Sequence, residues 1–136
     1  MLLGSVKMLK KRLGIEAIES VGNWREKYIF SYFKIPSTLI IPGSVKVIEN
    51  ATFIYCNRLK KVVISEGVKE IGRFAFENCR NLKEVSIPES VETIESYAFN
   101  SCKYATIILK KHKKDFKSIG YWAFGGCYDV KEEVRD

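Results

Sequence analysis

Cysteines stand at positions 56, 79, 102 and 127, separated by 23, 23 and 25 residues. The residues around them recur at the same interval. Residues 41–63 read IPGSVKVIENATFIYCNRLKKVV, residues 64–86 ISEGVKEIGRFAFENCRNLKEVS, and residues 87–109 IPESVETIESYAFNSCKYATIIL. Ile41, Ile64 and Ile87 align, as do Val45, Val68 and Val91, and then Ile48, Ile71 and Ile94. Phe53, Phe76 and Phe99 stand three residues before their cysteines, and Leu59 and Leu82 three after. A 23-residue unit is too short to bury its own apolar face. The units must therefore stack and bury that face against one another in one continuous core.

Within a unit, Leu82-x-x-Val85-x-Ile87 places Val85 and Ile87 on one face of a strand. Counting by 23 puts Val62, Val85 and Ile108 in one slot. Pro88 has no backbone N–H and stops strand pairing. Val91-x-x-Ile94 forms the return side of the coil. Ser96 to Phe99 are expected as a short helical or 3₁₀ turn, with Ala98 small enough for close packing. Same-slot residues then lie about 4.8 Å apart, the ordinary strand spacing. A fourth copy carries Phe116, Ile119, Trp122, Ala123, Phe124 and Cys127, with two extra residues expected between Leu109 and Phe116. A worn copy precedes the clear ones: Val21, Trp24, Phe30, Phe33 and Leu39 fit after one extra residue between Trp24 and Phe30.

The pattern Leu-x-x-Val-x-Ile-Pro-x-Ser-Val-x-x-Ile-x-x-x-Ala-Phe-x-x-Cys resembles the BspA-like, Treponema-type class of leucine-rich repeat. Residues 41–127 carry it clearly and 18–40 weakly. The resemblance implies a right-handed solenoid with a parallel sheet, used as a protein-binding surface. It also implies kinship with bacterial surface proteins and adhesins. The expected fold is an α/β repeat solenoid of about four to five 23-residue units with an N-terminal capping helix. Residues 1–17 form the cap and 18–136 the solenoid, divided as 18–40, 41–63, 64–86, 87–109 and 110–136. The cap rests on Leu2, Val6, Leu9 and Leu13, which recur at helical spacing before Gly14.

Among 136 residues, 46% are hydrophobic and 29% charged, the composition of a folded chain rather than a disordered one. No apolar run is long enough to span a membrane as a helix. The start reaches Lys10-Lys11-Arg12 before any long apolar stretch, so no secretory signal is seen. The expected location is cytoplasmic as given, or the cell surface for a piece of a longer secreted protein. The net charge of +7 is uneven: 1–34 carry +4, 35–109 carry +1 and 110–136 carry +2. Basic ends can attract an anionic partner or simply serve solubility.

Few residue constellations point to chemistry. A zinc site needs closely spaced pairs, whereas these cysteines lie at least 23 apart. They read as buried free thiols. His112 sits in a lysine run with no carboxylate-plus-nucleophile arrangement visible around it. Gly125-Gly126 falls inside a repeat turn rather than in a phosphate-cradling loop. Asn50-Ala51-Thr52 matches a glycosylation sequon, but Thr52 fills the alanine slot of the repeat. No catalytic residue, metal site or cofactor is expected.

The leading expectation is a non-enzymatic binding module for a protein partner, an adaptor or inhibitor. Outward aliphatics on a sheet suggest a contact surface. Ile40, Val63 and Leu109 are expected there, in one column with Ser86, and Ile54 and Tyr55 add to it. One alternative is a binder of nucleic acid or an anionic surface through Lys7, Lys10, Lys11 and Arg12 together with Lys110, Lys111, Lys113 and Lys114. Another is a fragment of a bacterial surface adhesin.

Overall fold

The computed structural model describes residues 37–135. The chain winds through four-residue strands β1 (Thr38–Ile41), β3 (Lys61–Ile64), β5 (Glu84–Ile87), β7 (Thr106–Leu109) and β9 (Asp129–Glu132). Between them lie the two-residue strands β2 (Val47–Ile48), β4 (Glu70–Ile71), β6 (Thr93–Ile94) and β8 (Ser118–Ile119). The long strands form a five-stranded parallel sheet in the order β1-β3-β5-β7-β9, and the short ones a four-stranded parallel sheet in the order β2-β4-β6-β8. This is the coil that the 23-residue period requires. Each turn of chain lays one strand in each sheet beside its copy in the next turn.

Strand pairing fixes the slots. Leu39, Val62, Val85, Ile107 and Val130 pair in sequence along the large sheet, and all but Val130 are buried. Ile48, Ile71, Ile94 and Ile119 do the same on the small sheet. The β3–β5 ladder lacks the last pair that its neighbours have, because it would need an N–H from Pro88 to the Ile64 carbonyl. Ser65, Lys110 and Glu133 hold the corresponding position elsewhere and donate to Ile41, Ile87 and Leu109.

The segment before each cysteine is not helical. Its backbone alternates between two kinds of bond. The N–H groups of Thr52, Ile54 and Cys56 close turns onto carbonyls three residues back. Those of Ala51, Phe53 and Tyr55 instead donate to Arg73, Ala75 and Glu77 in the next turn of the coil, at 2.8–2.9 Å. Phe74, Phe76 and Asn78 repeat this toward 96, 98 and 100, and Tyr97, Phe99 and Ser101 toward 121, 123 and 125. The geometry needs two left-handed residues per turn: Ala51 and Tyr55, Phe74 and Asn78, Tyr97 and Ser101, Trp122 and Gly126. An L-residue in that region costs about 1–2 kcal/mol, which the rung-to-rung bonds offset. The segment is thus a third hydrogen-bonded ladder. It replaces the helical turn expected from Ser96 to Phe99, and the fold is a β-solenoid rather than α/β. Among the described residues the one helical turn is 3₁₀, Lys113–Asp115. The expected capping helix and most of the unit 18–40 lie outside the described residues.

The core is a set of stacked columns. Phe53, Phe76 and Phe99 are fully buried, with ring centroids 5.2 and 5.0 Å apart and planes within 14° and 2° of parallel. Phe124 continues the stack at 6.0 Å. The cysteine column has a specific bonding role. The thiols of Cys79, Cys102 and Cys127 each donate to the carbonyl of the phenylalanine one turn back, Phe53, Phe76 and Phe99, at 3.1–3.2 Å. All four cysteines are free. Burial raises the Cys56 and Cys127 thiols to about 12, and the adjoining Cys79 thiol together with burial raises Cys102.

Two measurements check this core. Phe76→Ala should cost about 3–5 kcal/mol in denaturant melts, the range for truncating a buried aromatic. Exposed Lys60→Ala should cost under about 0.5 kcal/mol. The thiols supply a pH signature. Their folded values lie above the ordinary 9.0, so the folded state holds its protons longer than the unfolded chain. Stability from this source is present below pH 9.0 and is lost as pH rises from there toward about 12. Cys56→Ala should give a shallower alkaline decline than the parent, with no difference near neutrality beyond a constant offset.

Candidate interaction surface

The outward face of the large sheet carries two columns. The first runs Thr38, Lys61, Glu84, Thr106 and Asp129. Lys61 and Glu84 form an ion pair at 3.3 Å, with both side chains exposed, so it contributes little to stability. The second column runs Ile40, Val63, Ser86, Ile108 and Lys131. Ile40 is 62% exposed, and Val63, Ser86 and Ile108 are half-buried.

Leu109 does not belong to this surface. It pairs with Ile87, is fully buried, and Ile108 holds the outward position. Counting by 23 fails here because the third unit is one residue short before its strand. Cys79 precedes Val85 by six residues, whereas Cys102 precedes Ile107 by five. The missing residue corresponds to Lys83. Lys83 and Glu84 both donate to the Lys60 carbonyl, a bulge, whereas Thr106 alone donates to Lys83. The turn after β7 is three residues longer than its counterpart: Ile87 to Val91 is four steps and Leu109 to Phe116 seven. The apparent two-residue insertion is therefore one deletion and three added residues. Thr106-Ile107-Ile108-Leu109 gave no alternation by which to see this, but Ala105 in the Leu82 slot did.

Ile54 is also buried, at 7% exposure. Tyr55 is exposed but lies in the turn ladder, with φ 58°, not on the sheet. Of the five expected contact residues, only Ile40 and Val63 share the outward sheet column.

The lysine-rich insertion folds back on the last strand. Lys110 pairs with Glu133 at 3.0 Å, and Lys111 Nζ lies 4.5 Å from the Phe116 ring centroid. His112 Nδ1 is 3.0 Å from Glu132, whose other oxygen accepts the Lys113 backbone N–H at 2.8 Å. These two bonds, the histidine first, hold the Glu132 carboxyl below its ordinary range. Of Lys110, Lys111, Lys113 and Lys114, Lys110 alone forms an ion pair among the described residues, and Glu132 and Glu133 stand beside the insertion. Lys7, Lys10, Lys11 and Arg12 lie outside the described residues.

A second exposed feature went unread in the sequence. Phe74 stacks on Tyr97 at 5.3 Å, Tyr97 meets Tyr121 edge-on at 6.0 Å, and Tyr121 meets Trp122 at 5.8 Å. The indole covers Gly125, where a Cβ would collide with the Trp122 ring. These positions precede the Ala-Phe pairs 75–76, 98–99 and 123–124, and their varied identities concealed that they are neighbours.

Comparison with known proteins agrees with this architecture. The BspA type leucine-rich repeat region, in six copies, matches residues 22–133. A leucine-rich repeat protein from Bacteroides ovatus is similar in structure, with a TM-score of 0.60 and 31% identity. That match covers 71% of this chain and 29% of the other. A leucine-rich cell surface protein from Faecalibacterium prausnitzii matches with a TM-score of 0.42 and 20% identity, over 71% of this chain and 32% of that one. The chain therefore spans about a third or less of the length of either protein. No curated protein matches the sequence. Among the described residues, no helix is long and apolar enough to cross a membrane. With 112 of its 136 residues inside the matched region, and with the stacked slots that such repeats require, the chain belongs to the BspA-type leucine-rich repeat family.

Proposed function

We propose that the chain is a non-enzymatic protein-binding module, an adaptor or inhibitor that works by occupying a partner's surface. The observation that carries this reading is the outward column in which Ile40 and Val63 are neighbours and Ile108 follows beyond Ser86. It lies on a rigid parallel sheet whose other face is core. Solvated sheet faces favour polar residues, and outward aliphatics gathered on one column favour a contact. The partner is a protein that lays an apolar strip across the sheet. The flanking Lys61–Glu84 pair and Thr38 and Thr106 supply its polar rim. Family membership supports a binding role rather than catalysis.

The anionic-surface reading is weaker, because Lys110 is paired with Glu133, Lys111 lies over the Phe116 ring, and the Glu132 carboxylate stands against the insertion.

The test is affinity capture from the native host with three variants. Val63→Glu combined with Ile108→Glu should keep the parent's melting profile. It should lower capture of the partner by about a hundredfold, since seating an unpaired carboxylate in an interface costs several kcal/mol. Leu109→Glu should instead unfold the chain, because that side chain has no exposure. Neutralising Lys110, Lys111, Lys113 and Lys114 should change capture little. Undiminished capture by the folded Val63/Ile108 variant, with steep salt dependence, would overturn the reading.

A further inference from the structure

Each turn of the coil rounds a corner between its cysteine and its long strand. The corner residues are 57–60, 80–83 and 103–105, followed by Tyr128 after Cys127. They hold Arg58, Lys60, Arg80, Lys83 and Lys103, all exposed, and no carboxylate. Among the described residues, none of these five takes part in an ion pair. They occupy three consecutive turns, about 10 Å along the stack at the ordinary strand spacing. That is comparable with the Debye length, about 8–10 Å, so their potentials add.

A groove of about 570 Å³ opens beside this stripe, lined by Asn78, Arg80, Ser101, Lys103, Tyr104 and Gly126. Its floor is the second left-handed slot of the turn ladder. That slot holds Tyr55, Asn78, Ser101 and then Gly126, with φ of 58°, 59°, 64° and 74°. The side chain shrinks from turn to turn. Tyr55 fills the slot in the first clear repeat, and the smaller residues leave it open in the next three. Tyr104, 60% exposed, forms a wall, with Lys103 Nζ 5.9 Å from its ring centroid, and Tyr128 is 75% exposed. Cations and an aromatic wall therefore converge on one recess.

We propose that this corner is a docking edge for a short acidic protein segment carrying an aromatic or large apolar side chain. The side chain enters the groove against Tyr104 and the aliphatic stems of Arg80 and Lys103. The flanking carboxylates of the segment meet Arg58, Arg80, Lys83 and Lys103, as acidic motifs meet arginine clusters elsewhere. A long polyanion fits less well. Glu84, paired with Lys61, and Asp129 open the strands that follow the corners, and Glu77 precedes Asn78 in the chain, so the positive edge is narrow. The inference rests on the chain being a protein-binding module but not on the outward sheet column, and the two surfaces are tested separately.

The experiment is fluorescence anisotropy on the full chain with a labelled peptide, Glu-Glu-Trp-Glu-Glu. Controls are its glutamine counterpart, a version with glycine for tryptophan, a sulfated heparin oligosaccharide and an oligothymidylate. The acidic tryptophan peptide should bind, and the other two peptides should bind at least about tenfold more weakly. Arg80→Glu with Lys103→Glu should reduce binding by about tenfold or more, with the melting curve preserved. Tyr104→Ala should reduce it several-fold, and Val63→Glu with Ile108→Glu should leave it unchanged. Failure of the acidic peptide to bind, indifference to the Arg80/Lys103 reversal, or tighter binding of the heparin or oligothymidylate would overturn the corner proposal. None of those results would touch capture through the sheet column.

Discussion

Pairing of each turn of chain with the next, slot on slot, is what every other feature depends on. Three ladders run along the stack: the large sheet, the small sheet and the alternating bonds of the turn segment. Together they give the backbone of one turn partners in its neighbours, which matters because buried backbone polar groups left unpaired are costly. The side chains then have little choice. A residue that fits one turn must stack on its equivalents above and below. Phenylalanine, isoleucine, valine and cysteine accordingly persist in inward slots, while outward slots vary.

The cysteine column shows how this pairing selects chemistry as well as size. A buried slot of that volume would suit alanine or valine for packing alone. Cysteine adds a weak donor, and each thiol from Cys79 onward reaches the phenylalanine carbonyl of the preceding turn. The same carbonyl of Phe53, Phe76 or Phe99 already accepts the N–H of its own turn's cysteine. Two donors from two turns thus meet one oxygen, tying adjacent turns inside the core. The thiol works here as a hydrogen-bonding group, and its ionisation is suppressed, by burial at Cys56 and Cys127 and by the adjoining Cys79 together with burial at Cys102.

Much of the architecture was legible because the inward slots repeat so closely. Ile41, Ile64 and Ile87 declare the strand, Phe53, Phe76 and Phe99 the stack, and Pro88 the interrupted ladder. The turn segment was not legible as a ladder. Left-handed backbone at Phe74, Tyr97 and Trp122 has no signature in residues that avoid that region, and it is imposed by the neighbouring turns. Leu109 was misplaced for a different reason. Four strand-forming residues in a row, from Thr106 to Leu109, hide which pair faces inward once one residue has been lost upstream. The basic corner escaped because its cations are far apart in sequence. Arg58, Arg80 and Lys103 become neighbours only through the coil.

The bulge at the corner means that residue number and structural phase are separate quantities. Where one carbonyl receives two successive N–H groups, as Ser37 does from Lys60 and Lys61, the chain holds a spare residue that the ladder does not count. The third unit drops that residue, and the following turn gains three, yet Ile94 still meets Ile119 and Phe99 still stacks on Phe124. Length can therefore vary in these two places while every core column stays in step. The residues added between Leu109 and Phe116 hang on the stack much as a tag tied to one coil of a spring, with the pitch of the rest unaltered.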